Sequence, residues 1–156
     1  MKTRTILATL VAFFAGIALA FAADPNMGTW KLNEGKSKFM PGATKNHTVV
    51  YAPAAGDMVK VTVDGVDKDG KAEHNEWTGK FDGKDYKVVG STGLADTRSY
   101  TKVDANTLDM TLKKDGKVVG TGKITVSADG KSRTVTTMAT DPKMTAMNNT
   151  AVYDKQ

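Results

Sequence analysis

Polar and apolar residues alternate along most of the chain. Between residues 59 and 64, three valines alternate with Lys60, Thr62 and Asp64. The same alternation recurs at residues 76–81, 108–113 and 123–126. A period of two places successive side chains on opposite faces of a strand, so these segments predict a sheet with one buried face. No window of useful length after the N-terminal segment has helical periodicity.

Turn residues separate the alternating segments at regular intervals. The tripeptide Asp-Gly-Lys begins at Asp69, Asp82, Asp115 and Asp129. Asp and Gly tolerate the positive φ angles that a two-residue type I′ turn requires. Each copy therefore predicts a tight hairpin, and successive hairpins predict an antiparallel meander.

These signals predict about ten strands and an all-β fold. The strands are expected at Gly28–Asn33, Lys45–Tyr51, Met58–Asp64, Ala72–Phe81, Tyr86–Gly90, Thr97–Val103, Thr107–Lys113, Val118–Ser127, Ser132–Thr140 and Thr145–Tyr153. Closing an up-and-down meander into a barrel removes exposed strand edges. A sandwich is the alternative, but its crossings need longer connections. The longest gap, residues 34–44, accommodates at most a short helical turn.

The N-terminus has the pattern of a secretory signal. Lys2 and Arg4 precede an uncharged apolar run over residues 6–21, and Ala20 and Ala22 form a small-x-small pair. We expect residues 1–22 to be a signal peptide and residues 23–156 a single β-barrel domain, periplasmic or fully secreted. An uncleaved membrane anchor is the alternative, but the run is short for a span and no second one follows. We expect no stable membrane anchor after cleavage.

Charge and cysteine content narrow the function classes. Removal of Lys2 and Arg4 lowers the formal net charge from +5 to +3, and the remaining lysines are scattered. Without a concentrated basic patch, no nucleic-acid partner is expected. The chain has no cysteine, which excludes disulfides, a thiol nucleophile and a cysteine-ligated metal. We expect a monomer.

Residue types that support catalysis or metal binding are sparse. Only two histidines occur, His47 and His74, and His74 with Glu76 supplies too few ligands for zinc. Met144 and Met147 are predicted to pack in the core, although thioethers also bind copper. The chain carries none of the common hydrolase, metalloprotease or phosphate-loop motifs. We therefore expect no metal, no cofactor and no enzymatic activity.

Motifs at both ends of residues 23–156 resemble a known family. The segment Gly28-Thr29-Trp30-Lys31-Leu32 and the ending Ala151-Val152-Tyr153-Asp154-Lys155 are similar to those of lipocalins and fatty-acid-binding proteins, together called calycins. The chain also resembles small exported bacterial proteins of lipocalin-like type. The resemblance implies a calycin-like barrel in which Trp30 is structural and closes one end.

Two departures from the fatty-acid-binding branch affect the expected site. That branch binds a carboxylate through Arg-x-Tyr on the last strand, where this chain has Ala151 and Tyr153. The branch also inserts two helices between its first two strands, and residues 34–44 are too few for them. We expect the corresponding end of the barrel to be open or closed by a loop.

The function predicted from these residues is binding of a small hydrophobic or amphipathic molecule. We expect the predicted ligand-binding residues to line an internal cavity: Trp77, Phe81, Tyr86 and Tyr100 as apolar wall, with Arg98 and Tyr153 as polar handles. Thr136 is expected to point inward beside them. Two alternatives remain. One is a solid barrel that acts through its surface as an inhibitor or cell-envelope interaction module, in which Arg98 would face solvent. The other is an enzyme.

Overall fold

The computed structural model describes residues 24–91 and 94–156, without the side chains of residues 143 and 145. The strands are β1 Gly28–Leu32, β2 Lys45–Ala54, β3 Met58–Val66, β4 Ala72–Gly79, β5 Tyr86–Gly90, β6 Thr97–Lys102, β7 Thr107–Lys114, β8 Lys117–Val126, β9 Ser132–Ala139 and β10 Asn149–Lys155. The predicted signal peptide and its cleavage site lie outside the described residues. Within the described part, no helix is long and apolar enough to cross a membrane.

The ten strands form a closed antiparallel barrel. Each strand pairs with the next in sequence, and β10 returns to pair with β1. At the closure, Trp30 lies opposite Lys155 and Leu32 lies opposite Tyr153. The predicted all-β meander of about ten strands, closed into a barrel, is confirmed.

The start of the last strand differs from the prediction. Strand β10 was expected from Thr145, but residues Pro142–Met147 form two 3-10 turns with a kink at Met144, and β10 begins at Asn149. Proline lacks a backbone N–H and cannot donate to a strand ladder, which favours a break after β9. The Asn149 amide then donates 2.8 Å to the Ala146 carbonyl oxygen and holds the segment in place. A second 3-10 turn, Glu34–Lys36, occupies the gap between β1 and β2.

Only one of the four Asp-Gly turns has both residues at positive φ. Asp115 and Gly116 have φ of 50° and 74°, the combination that a type I′ hairpin requires. At Gly70, Gly83 and Gly130 the glycine alone has positive φ, so the expected two-residue type I′ geometry is wrong there. These three turns are longer than two residues. In the first of them, the Asp67 carboxylate accepts from the backbone N–H groups of residues 69 and 71.

One end of the barrel is closed by Trp30 and the segment that precedes it. Trp30 has no solvent exposure, and its indole Nε1 donates 2.8 Å to the Asn26 carbonyl oxygen. The Lys155 ammonium lies 5.1 Å from the indole ring centre. At the start of this segment, the Asp24 carboxylate forms a 2.7 Å ion pair with Lys102 of β6. Residues 24–30 therefore form a plug, and we call this the closed end.

Inward-facing positions follow the register around the barrel. One row runs from Tyr51 through Val61 to Trp77, and all three side chains are buried. On the opposite wall, Val126 lies opposite Arg133, and Arg133 lies opposite Tyr153. Most of these positions are aliphatic or aromatic, as a barrel core requires. Asn26, Asn75, Ser99 and Arg133 are buried polar residues, and Arg133 is the one of these four that carries a charge.

Candidate ligand-binding cavity

The barrel encloses a cavity of about 500 Å³. Its wall is mainly apolar, and it reaches the loops at the end opposite Trp30, which we call the mouth. The apolar wall includes Val49, Val61, Val63, Met110, Leu112 and Ile124. The interior of the barrel is therefore hollow from its middle to the mouth, whereas side chains fill it near the closed end.

Two glycines on β8 help to keep this space open. Gly120 and Gly122 occupy positions on the inward side of β8, in register with Leu112 and Met110 of β7. A Cβ atom at Gly120 would lie 2.7 Å from the Met147 Cε, and one at Gly122 would lie 2.7 Å from the Met110 Cε. Because these two positions of β8 carry no side chain, the side chains of Met147 and Met110 fit beside them. Flexible thioether chains adapt readily to ligands of different shape.

Arg133 is a buried cation at the inner wall of the cavity. Its residue is 2% exposed, and it lines the cavity together with Tyr51 and Tyr153. The guanidinium carbon lies 4.9 Å from the ring centres of Trp30 and Tyr51 and 4.8 Å from that of Tyr153. Within the part of the protein that the structure describes, the buried Nε and Nη1 atoms have no hydrogen-bond partner. Three aromatic faces stabilise the charge in part, but they leave these N–H groups unpaired.

A second arginine lines the same cavity from β6. The Arg98 Nη1 donates 3.3 Å to the Tyr100 hydroxyl, and the buried Arg98 Nε has no partner. The Arg98 backbone is fixed by the Trp77 indole Nε1, which donates 2.8 Å to its carbonyl oxygen. Tyr100 in turn packs edge-on against Tyr51, with ring centres 6.5 Å apart. The polar side of the cavity thus runs from Arg98 through two tyrosines to Arg133.

The phenols of Tyr51 and Tyr153 remain protonated at neutral pH. Burial raises the pKa of Tyr51 above its ordinary value; the neighbouring Tyr100 raises it further, while Arg133 and Arg98 act in the opposite direction. Burial likewise raises the pKa of Tyr153 to about 12, against the opposing effect of Arg133. Neutral hydroxyl groups can donate hydrogen bonds, so both phenols offer donors beside the arginines.

Three of the six predicted ligand-binding residues line the cavity. Arg98, Tyr100 and Tyr153 do so, and Arg98 does not face solvent on the outer wall. Whether any predicted residue binds a ligand stays a prediction.

The other three predicted residues, Trp77, Phe81 and Tyr86, pack around one another beneath the cavity. The Trp77 ring is stacked 6.4 Å from Phe81 and stands edge-on to Tyr86 at 5.6 Å. The expected placement in the cavity wall is wrong for these rings, because they fill the space left by Gly79 near the closed end. A Cβ atom at Gly79 would lie 2.5 Å from the Tyr86 ring.

The predicted orientation of Thr136 is also wrong. Thr136 is exposed, whereas Thr137 lines the cavity and donates to the Met147 carbonyl oxygen. The alternation on β9 explains the difference, because Arg133, Val135 and Thr137 share the inner face.

Arg133 is the cavity residue that the sequence interpretation missed. Its strand was recognised, but the arginine lies among threonines and carries no motif. A signal was present in the composition: after residue 22 the chain has 18 lysines and only two arginines, Arg98 and Arg133. Both line the cavity. Arg133 lies on the strand next to β10, directly opposite Tyr153.

Unlike the two arginines, several of the described charged residues at the mouth and on the outer wall form ion pairs. At the mouth, Lys68 and Asp69 form a 2.6 Å ion pair, and Asp67 and Glu73 also border the cavity. On the outer wall, the His74 Nδ1 lies 2.6 Å from an Asp64 carboxylate oxygen. No group of three or more potential metal ligands occurs among the residues whose placement is described.

Comparison with known proteins shows a likeness to a solved structure and no match by sequence. No protein-family model and no curated protein sequence matches the chain. Among solved structures, the chain is similar to EF1p2_mFAP2b bound to DFHBI, at 14% identity and a TM-score of 0.45. The match covers 86% of this chain and 97% of the other. The closed ten-strand barrel fits a calycin-like fold, and membership of the lipocalin or fatty-acid-binding branch stays a prediction.

Proposed function

We propose that this protein is an exported binding protein that holds a small amphipathic molecule inside its barrel. The acidic head group of the ligand contacts Arg133, and its apolar body lies among the aliphatic wall residues. The observation that carries the proposal is the buried Arg133 guanidinium, whose Nε and Nη1 atoms have no partner beside an open cavity.

The free energy of a buried charge favours an anionic ligand. A cation removed from water without a counter-charge destabilises the folded protein by several kcal/mol in general. An acidic group at Arg133 would offset this cost, because guanidinium and carboxylate groups form paired charge-assisted hydrogen bonds. The neutral hydroxyl of Tyr153 supplies a further donor beside them.

The remainder of the cavity suits an apolar body. A volume of about 500 Å³ lies inside the range of about 300–1,000 Å³ that is typical of small-molecule sites. Burial of an alkyl or ring system against the valines and methionines would contribute about 25 cal/mol per Å² of apolar surface. Specificity would come from the polar side and affinity mostly from the apolar side.

Export, a monomeric state and the absence of catalysis belong to the same proposal. The signal-like residues 1–22 support export to the periplasm or beyond. There the protein would carry or scavenge its ligand in an aqueous compartment where free amphipathic molecules are sparingly soluble.

A pair of probes that differ only in charge tests the proposed function. Delipidated protein is titrated with 11-(dansylamino)undecanoic acid and with its neutral methyl ester, and dansyl emission is recorded. We expect saturable binding of the acid and binding at least about tenfold weaker for the ester, since one charge-assisted pair contributes about 1.5–3 kcal/mol. No binding of either probe would contradict a hollow binding barrel.

Two variants locate the head group. Arg133→Met removes the proposed contact and should reduce affinity for the acid to that for the ester. Lys123→Met is the matched control, because it removes one positive charge from the outer wall, where Lys123 pairs with Asp109 at 2.5 Å. Affinity for the acid should be unchanged in this control. Equal losses in both variants would mean that overall charge, and not the cavity site, governs binding.

A further inference from the structure

The cavity contains more positive charge than one carboxylate neutralises. Arg98 and Arg133 each have at least one buried N–H group without a partner, and both line the same cavity. All other basic residues after residue 22, apart from the histidines, are lysines. Arginine differs from lysine in presenting a rigid planar fork that fits oxyanions. After residue 22, both arginines of the chain line the cavity, where their planar forks can pair with oxyanions.

Among the described residues, no carboxylate forms an ion pair with either arginine. Every ion pair found among the described residues involves a lysine or histidine. The carboxylates that border the cavity are Asp67 and Glu73, both at the mouth. Asp67 already accepts two backbone hydrogen bonds within its own turn. The inner part of the cavity is left with two positive charges.

Both guanidiniums lie beside the packed rings of Tyr51 and Tyr100. Arg98 reaches the Tyr100 hydroxyl at 3.3 Å, and Arg133 lies over the Tyr51 ring at 4.9 Å. Both arginines also counteract the increase in the Tyr51 pKa that burial causes, which places both charges near one phenol. The Tyr51 and Tyr100 rings pack with their centres 6.5 Å apart, so both guanidiniums border one region of the cavity, where a single head group would be near both.

We propose that the ligand of this cavity is an amphipathic dianion, a molecule whose head group carries two negative charges on an apolar body. The inference rests on the proposed function and specifies its ligand class. Two carboxylates on adjacent carbons and a phosphate monoester both satisfy the charge requirement. A monoanion would leave one of the two guanidiniums without a counter-charge.

Chain-matched probes test the number of charges. Decyl phosphate and decyl sulfate are used to displace bound 11-(dansylamino)undecanoic acid from delipidated protein at pH 8. Their tetrahedral head groups carry charges near −2 and −1, respectively. Decylsuccinate and decanoate form the corresponding carboxylate pair. We expect at least one dianion to bind about tenfold or more tightly than its matched monoanion, as one added charge-assisted pair would provide. The probe pair with the larger ratio of dianion affinity to monoanion affinity shows whether the cavity prefers a phosphate monoester or two carboxylates.

Variants that lack one arginine show which of the two arginines causes the preference for dianions. In Arg98→Met and in Arg133→Met the advantage of the dianion should fall to about one, whereas Lys123→Met should retain it. Arg98→Lys, which keeps the charge without the fork, should retain part of it. Equal binding of dianions and monoanions by the unmodified protein would overturn the inference while leaving the proposed function intact. Failure of all four probes to displace the fluorescent probe would instead contradict the proposed function itself.

Discussion

Arg133 on β9 lies directly opposite Tyr153 on β10, and its guanidinium carbon is 4.8 Å from the centre of the Tyr153 ring. Both residues line the cavity, and the same guanidinium also lies over the ring of Trp30, which closes the barrel. The pair is therefore located between the closed end and the cavity. An arginine at this position stabilises the barrel only through its contacts with aromatic rings. Its unpaired N–H groups are available for another partner.

Replacement of Arg133 should therefore separate stability from binding. In Arg133→Met a flexible apolar side chain of similar length replaces an uncompensated buried charge, and such replacements are often neutral or stabilising. We expect the free energy of unfolding of the ligand-free variant to rise by on the order of 1 kcal/mol, or to stay constant, while affinity for anionic probes is lost. Urea unfolding of delipidated samples measures the first quantity. A loss of several kcal/mol would show that Arg133 is mainly structural.

Trp30 should behave in the opposite way. Trp30→Ala removes a fully buried indole and its hydrogen bond to Asn26, and we expect a loss of about 3–5 kcal/mol whether or not a ligand is present. The midpoint of urea unfolding reports the change. Lys31→Ala, at the exposed neighbouring position, serves as control and should leave the midpoint nearly unchanged. An unchanged midpoint in Trp30→Ala would contradict its role as the plug of the closed end.

Gly79 should tolerate no side chain. A Cβ atom there would lie 2.5 Å from the Tyr86 ring and 2.6 Å from the Trp77 ring, neither of which can withdraw easily. We expect Gly79→Ala to destabilise the barrel by about 1–3 kcal/mol through overpacking. Gly35→Ala, where the nearest atom would be 3.6 Å away, is the matched control for thermal unfolding. Equal unfolding temperatures in the two variants would mean that the aromatic cluster is loosely packed.

His74 should make stability depend on pH near neutrality. Its hydrogen bond with Asp64 raises the pKa of His74 above the ordinary value of 6.5. A raised pKa means that the folded state binds the proton more tightly, so the stabilisation is present below pH 6.5 and disappears as pH rises through the folded-state pKa. The stability of the unmodified protein relative to His74→Asn should decrease between pH 5.5 and pH 8.5. A constant difference in urea midpoint over that range would exclude the effect.

The fold was largely predictable from sequence because its signals are local. Alternation over residues 59–64 and turn residues such as Asp115-Gly116 act within a few positions, and they located nine of the ten strands to within about three residues at either end. The error at β10 arose because threonine and methionine around residue 145 are compatible with a strand. Pro142 is a local signal for the break after β9, but it does not indicate that the break extends as far as Asn148.

The cavity was predictable only in part because it depends on registry between strands. Arg98 and Tyr100 share one strand, so their common face follows from a period of two. Arg133 meets Tyr51 and Tyr153 only after strands from both ends of the sequence pair around the barrel. Whether an aromatic ring fills the interior or lines the cavity depends on its neighbours, as the space at Gly79 shows for Tyr86.

Native mass spectrometry of the protein purified gently from its own host tests the central claim most directly. If the barrel carries an amphipathic anion at Arg133, the unmodified protein should show a discrete added mass that disappears on denaturation. The Arg133→Met variant, purified in parallel, should show the mass of the polypeptide alone. An unmodified protein that shows only the polypeptide mass, or an adduct equally abundant in the variant, would contradict the account.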